Sequence, residues 1–187
     1  MKQILLMIAV VALVGCGTTK LDPNAPANIS DPIVEEKVRK KLNKPTGELT
    51  NADLANVTAL YLYGTKITYA GLKDVAKLQN LTRIYLGRTL ITDAGLKDLA
   101  KLQNLTELYL RDTKITDAGI KDIAKLQNLT ALYLGGTKIT DAGIKELAKL
   151  QNLTSLGLQQ TKITDAGAAE LQKALPKCRI VHSYKKD

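Results

Sequence analysis

Cys178 and His182 are the one Cys–His pair close enough in sequence to suggest a nucleophile and its base, and His182 is the only histidine. They lie four positions apart in a stretch that reads as an extended strand, so roughly 13 Å separates them at about 3.3 Å per residue. Proton transfer needs about 3 Å. Closing-strand residues is the better description, and a single histidine excludes a His-rich metal cluster. Asp93, Asp117, Asp141 and Asp165 recur every 24 positions, as a calcium-binding carboxylate ladder would. Each directly precedes an expected helix, where capping accounts for it without metal. Tyr69 takes the same place in the first copy and interrupts any ladder. Thr65, Thr89, Thr113, Thr137 and Thr161 fall in the turn after each expected strand, where a hydroxyl bonds backbone groups inside the fold. Neither a catalytic residue, a metal ligand nor a cofactor is expected, and the chain does not read as an enzyme.

Binding chemistry is better represented. Tyr61, Tyr85, Tyr109 and Tyr133 hold one outward position on four successive strands. Around them lie Arg83, Glu107, Arg88, Arg111, Tyr63 and Asp112, which differ from copy to copy. Variation against a fixed frame is what a recognition surface would show, and Tyr and Arg are the side chains that most often anchor interfaces. Strands about 4.8 Å apart would set the four tyrosines in a row some 14 Å long, with apolar ring faces and hydroxyl tips presented to a partner. Arginines add bidentate donors for carboxylate or phosphate. Such a surface suits an extended peptide or glycan with some negative charge. Tyr also favours strands for its own sake, so a purely structural ladder is the competing reading.

Two further rows read as structure. Asn56, Asn80, Asn104, Asn128 and Asn152 each begin N-x-T, formally a glycosylation acceptor, but they recur because the turn recurs. Lysines at 73 and 77, 97 and 101, 121 and 125, and 145 and 149 form a stripe diluted by Asp74, Asp98, Asp122 and Glu146. A solvated outer face explains it, with attraction to anionic lipid or polymer as the alternative. Nucleic acid is not expected as a partner.

The element that positions these residues is a 24-residue repeat, present five times from Val57, Leu81, Leu105, Leu129 and Leu153. Residues 105–128 read LTELYLRDTKITDAGIKDIAKLQN. Leu108 and Leu110 share one face of a strand, and Glu107 and Tyr109 the other. Thr116 or Asp117 suits a helix start, Ile120, Ile123 and Ala124 fall on one helical face, and Asn128 stands where a left-handed residue would end the helix. One copy cannot fold alone, because its few large apolar side chains do not offset the entropy of ordering its backbone. Stacked copies can, each closing its neighbour's core. Sheet strands stack more closely than helices, so the stack must curve with the sheet inside. Gly71, Gly95, Gly119, Gly143 and Gly167 would let adjacent coils approach.

The pattern L-x-x-L-x-L-x-x-T-x-I resembles the leucine-rich repeat, with Thr where many members carry Asn or Cys. Residues 30–56 resemble the helical cap that precedes such repeats in bacterial surface proteins: Asp31-Pro32 opens a helix, and Ile33, Val34, Val38 and Leu42 form its apolar stripe. The resemblance covers residues 30–184. It implies an α/β solenoid with a parallel concave sheet, convex helices and a helical N-terminal cap.

At the N-terminus, Met1-Lys2-Gln3 precedes an apolar run from Ile4 to Val14, too short to span a bilayer as a helix. Leu13-Val14-Gly15-Cys16 resembles a bacterial lipobox. This implies a signal peptide over residues 1–15, acylation of Cys16, and Gly17 rather than Asp as the outer-membrane type of sorting residue. Two or three acyl chains give stable anchoring. With Cys16 acylated, Cys178 has no disulfide partner. The formal net charge of +9 becomes about +8 once Lys2 leaves.

The expected organisation is signal peptide (1–15), lipidated Cys and flexible tether (16–29), N-terminal cap (30–56), five repeats (57–176) and a closing strand with tail (177–187). The expected function is a monomeric, membrane-anchored scaffold in a bacterial cell envelope that recognises a protein, peptide or glycan. A passive envelope lipoprotein is the alternative.

Overall fold

The computed structural model describes residues 22–182. The expected signal peptide, Cys16 and Tyr184 lie outside the described residues.

Two cap helices open the fold, α1 (Pro32–Leu42) and α2 (Asn51–Ala55). The first four coils each pair a strand with a helix: β1 (Ala59–Tyr61) and α3 (Tyr69–Val75), β2 (Arg83–Tyr85) and α4 (Asp93–Leu99), β3 (Glu107–Tyr109) and α5 (Asp117–Ile123), then β4 (Ala131–Tyr133) and α6 (Ile144–Leu147). A 3-10 turn, Asp141–Gly143, leads into α6. The last coil holds β5 (Ser155–Gly157) and the longer α7 (Asp165–Ala174), and β6 (Arg179–Val181) closes the sheet.

All six strands lie in one parallel sheet in chain order. Every register step advances by one repeat, so Leu60, Ile84, Leu108, Leu132, Leu156 and Ile180 are successive partners. That identity of register is why equivalent residues form columns. Leucines and isoleucines of the repeat fill one continuous core running from Val34 and Val38 of α1 to Cys178. The inward set inferred from the alternation, including Leu105, Leu108, Leu110, Ile120 and Ile123, is buried.

The cap forms as its residues dictate. Asp31 accepts from the N–H groups of Ile33 and Val34 at 2.9 and 3.1 Å, and Pro32 occupies the first turn. Asn43 ends α1 in the left-handed conformation. α2 is a finding the sequence reading lacked. Thr50 and Asp53 form a reciprocal capping box, visible afterwards as T-x-x-D.

Polar ladders tie coil to coil. Asn80 donates Nδ2 to Ala55 O of the cap, and Asn104, Asn128 and Asn152 each donate Nδ2 to a backbone carbonyl of the preceding coil, all at 2.8–2.9 Å. Asn128 therefore does not end a helix in left-handed geometry as expected; α5 has already stopped at Ile123. The turn threonines meet their expectation: Thr65, Thr89, Thr113, Thr137 and Thr161 donate to the carbonyl three residues back.

The aspartate row differs from the capping expectation. The helix caps are Thr92, Thr116, Thr140 and Thr164, and each Asp is the first helical residue. Asp93, Asp117 and Asp141 instead reach forward one coil, each accepting from both the backbone N–H and the hydroxyl of Thr116, Thr140 and Thr164. The following glycine makes room for this carboxylate. A Cβ on Gly119 would lie 3.1 Å from Asp93 Cγ and 2.7 Å from Leu96 Cδ1.

The tether expected over residues 16–29 needs correction within the described residues. Ala27 donates its N–H to Leu49 O at 2.7 Å, Asn51 to Ala25 O and Ala52 to Pro23 O, while Pro26 bridges Thr50. Ala27 and Ile29 pack on the core. Two prolines favour an extended strip, and the cap offers that strip carbonyl and amide partners, so residues 22–29 are bound rather than free.

Candidate functional site

The candidate site is the open face of the sheet. Alternation sends Leu60 inward and Tyr61 outward, and exact register carries the same arrangement through the next three coils. The four tyrosines do align. Ring centroids of Tyr61 and Tyr85 lie 4.4 Å apart, of Tyr85 and Tyr109 4.3 Å, and of Tyr109 and Tyr133 4.7 Å. Interplanar angles of 6°, 17° and 12° make this a continuous parallel stack.

Stacking changes what the row presents. The expectation of ring faces open to a partner does not hold for the inner rings, because their faces cover one another. Edges and hydroxyls are what remain. The Tyr109 hydroxyl donates to Glu107 Oε2 at 2.9 Å, and the Tyr133 hydroxyl lies 3.2 Å from Ser155 Oγ. Burial first, and then the hydrogen bond to Glu107, pushes the Tyr109 phenol above its ordinary range. Burial and the neighbouring Tyr61 also raise Tyr85. Both therefore stay protonated through neutral pH.

The stack has two unlike ends. Beyond Tyr133 lies Gly157, where an added Cβ would stand 2.9 Å from the ring, so the row stops over a glycine. At the other end Tyr61 is 57% exposed, and α1 flanks its strand.

Charged candidates are distributed around this row. Arg83 and Glu107 are register partners on the open face, without an ion pair between them among the described residues. Arg88 and Arg111 both turn to Asp112, at 3.3 and 3.6 Å. Arg88 also lies over the ring of Tyr63, 5.8 Å from its centroid. Tyr63 itself leans across Gly87, and Arg111 across Gly135. The structure thus gathers Arg88, Arg111, Asp112 and Tyr63 into one group at the rim, and joins Glu107 to the tyrosine row.

One feature of this rim had no visible signal in any single copy. The third residue after the end of each of β1 to β5 adopts positive φ: Gly64 68°, Arg88 53°, Asp112 56°, Gly136 70° and Gln160 59°. Glycine satisfies that conformation freely, whereas an L side chain there costs about 1–2 kcal/mol. Comparing the five copies column by column is the reading that would have found it.

A cleft of about 650 Å³ lies elsewhere. It is lined by residues including Pro23, Ala27, Asn28, Ala55, Lys77 and Asn80, on the side of the cap. The tyrosine face is an open surface, suited to a macromolecule more than to an enclosed small ligand. At the far end His182 Nε2 lies 2.7 Å from Asp165 Oδ1, while Cys178 is buried with its thiol pushed up by that burial. Cys178 and His182 are thus committed to separate structural contacts.

Known proteins share this architecture. A family model described as Leucine Rich repeats (2 copies) matches residues 103–147, and one described as Leucine Rich repeat matches residues 149–171. An internalin (inlF) from Listeria monocytogenes is similar in structure, with a TM-score of 0.68 and 30% sequence identity over 87% of this chain and 48% of that one. The chain therefore spans about half the length of that internalin structure. An internalin C2 (inlC2) from the same organism gives a TM-score of 0.48 and 23% identity, covering 82% of this chain and 83% of that one. No curated protein matches the chain.

Proposed function

The chain is a leucine-rich-repeat protein of bacterial type, and we propose that it is a membrane-anchored recognition scaffold that holds a protein or peptide partner against its concave sheet. The repeats and the internalin likeness support a protein-interaction scaffold at the coarser level. The tyrosine stack carries the finer reading. Four rings in a column present a rigid line of edges and hydroxyls, and ordering them costs a partner little because they already order one another. Arg88 and Asp112, held in left-handed turns beside that line, supply charge where glycine would be the relaxed choice.

Membrane attachment rests on the lipobox resemblance at Cys16. With residues 22–29 bound to the cap, only residues 17–21 separate Cys16 from the first described position, a reach of about 20 Å when fully extended. An acylated Cys16 would therefore hold the cap close to the bilayer.

Mutual burial of the ring faces favours a second reading, in which the stack is only structural. Replacing Tyr85 and Tyr109 together by Thr separates the two, since Thr also suits strands. The recognition reading expects a folded variant that fails to retain the partner captured from envelope extract by the unaltered chain. Adding Arg111→Ala weakens capture further and reduces its salt dependence. Unchanged capture by a folded double variant refutes the reading, and loss of the fold assigns the stack a structural role.

A further inference from the structure

The exposed end of the tyrosine stack forms a second, smaller site. A cleft of about 340 Å³ opens between α1 and β1, lined by Lys37, Lys40, Lys41, Ala59, Leu60 and Tyr61. On one side Tyr85 covers the Tyr61 ring at 4.4 Å; on its other side no ring stands against it among the described residues. The three lysines follow from helical spacing. Positions 37, 40 and 41 fall on neighbouring faces of α1, beside the buried Val34 and Val38 that seat the helix on the core. Lys37 is paired with Glu36 at 2.9 Å, while Lys40 and Lys41 are exposed and have no ion pair among the described residues.

We propose that this cleft binds a planar aromatic ring bearing an anionic group, seated on Tyr61 as a fifth ring of the stack with its charge toward Lys40 and Lys41. The flat stack demands a planar π system, because an offset parallel ring is the arrangement that the column already repeats. The lysines demand negative charge. Neither half of the site is sufficient alone: an exposed ring face is weakly selective, and surface ammonium groups are screened by salt. The inference rests on the concave face being a recognition surface and names the chemistry accepted at its N-terminal end. The same ligand chemistry occurs as a phosphorylated or carboxylated aromatic side chain in a peptide and as a free aromatic acid.

Phenyl phosphate is the probe, observed by saturation-transfer NMR with the full-length chain. Phenol and inorganic phosphate serve as half-ligands, and a phosphotyrosine peptide tests the macromolecular source. Saturable binding of phenyl phosphate is expected, with each half-ligand weaker. Tyr61→Thr should weaken binding about 2- to 12-fold, the equivalent of one aromatic pair. Lys40→Gln with Lys41→Gln should weaken it and flatten its salt dependence, and both lysines are exposed enough for the fold to survive. Lys121→Gln, on the outer face of α5 and away from the sheet, should leave binding unchanged. Tighter binding of the peptide assigns the source to a partner chain, and equal binding assigns it to a free acid. No saturable binding, equal binding of phenol, or indifference to Tyr61→Thr in a folded variant overturns the proposal. The broader reading is tested apart from it. Phenyl phosphate that binds as described, alongside partner capture insensitive to Tyr85 and Tyr109, refutes concave-face recognition and retains a small-molecule site. Capture that depends on those two tyrosines without phenyl phosphate binding refutes this proposal alone.

Discussion

The Asp93 carboxylate grips Thr116 across a coil boundary, accepting from its backbone N–H at 2.8 Å and from its hydroxyl at 2.6 Å. Asp117–Thr140 and Asp141–Thr164 repeat the contact. The interaction is a joint between repeats, so its loss should loosen stacking more than it harms any helix. Asp93→Ala leaves a part-buried backbone N–H without its acceptor and should cost about 1–3 kcal/mol. Lys97→Ala, on the outer face of α4, should change stability by less than about 0.5 kcal/mol. Denaturant unfolding of the two variants measures the difference, and equal midpoints would contradict the assigned joint.

Asp74 gives the fold a pH dependence with a definite sign. Burial pushes its carboxyl up, but Lys77 and the N–H groups of Asp31 and Ser30 together outweigh this and leave it below its ordinary value of 3.8. A carboxyl depressed in the folded state contributes stability above the unfolded pKa and loses it as pH falls through the folded one. The melting difference between the unaltered chain and Asp74→Asn should therefore be largest above about pH 5 and shrink below about pH 4. A difference that grows on acidification would reverse the assignment.

Arg88 stands in a left-handed turn that Gly64 and Gly136 occupy in other coils. Arg88→Gly relieves about 1–2 kcal/mol of backbone strain, against roughly 0.5–1 kcal/mol of added unfolded-state freedom. Thermal stability should hold or rise by up to about 1.5 kcal/mol while partner capture falls. A variant that both melts earlier and captures normally would make Arg88 a structural residue.

Acylation rests on residues outside the described part of the chain and has its own test. Cys16→Ser removes the sulfur that an acyl chain requires. Metabolic labelling with a fatty acid should give a labelled protein for the unaltered chain and none for the variant, with the precursor accumulating. Undiminished label in the variant would end the lipoprotein reading.

Much of this architecture is legible in the sequence because translation by one repeat places identical residues in register. Leu108 inside and Tyr109 outside follow from alternation, and the tyrosine column follows from the period. Contacts that cross between coils are less legible. Asp93 sits where a capping residue would, and nothing within one copy shows that its partner is Thr116 of the next. Asn128 likewise resembles a helix terminator but donates to Gln103. The docked strip over residues 22–29 has a polar, proline-bearing composition that reads as linker, yet backbone groups of the cap, the Asn51 and Lys77 side chains and the core all bind it. In the candidate site the row itself follows from the repeat period, whereas its stacking does not. Ring orientation depends on the neighbouring ring, and Arg88, Arg111 and Asp112 meet through side-chain reach across coils.

Recognition through the concave face is tested most directly by where a partner touches the solenoid. A photo-activatable residue at Ala131 lies on the open face beside the stack, and one at Lys121 lies on the outer face of α5. Both variants, irradiated in envelope preparations, report contacts at the two faces under identical conditions. A discrete adduct from position 131 with none from position 121 is the predicted result. An adduct from position 121 alone, or equal adducts from both, would contradict recognition by the tyrosine face.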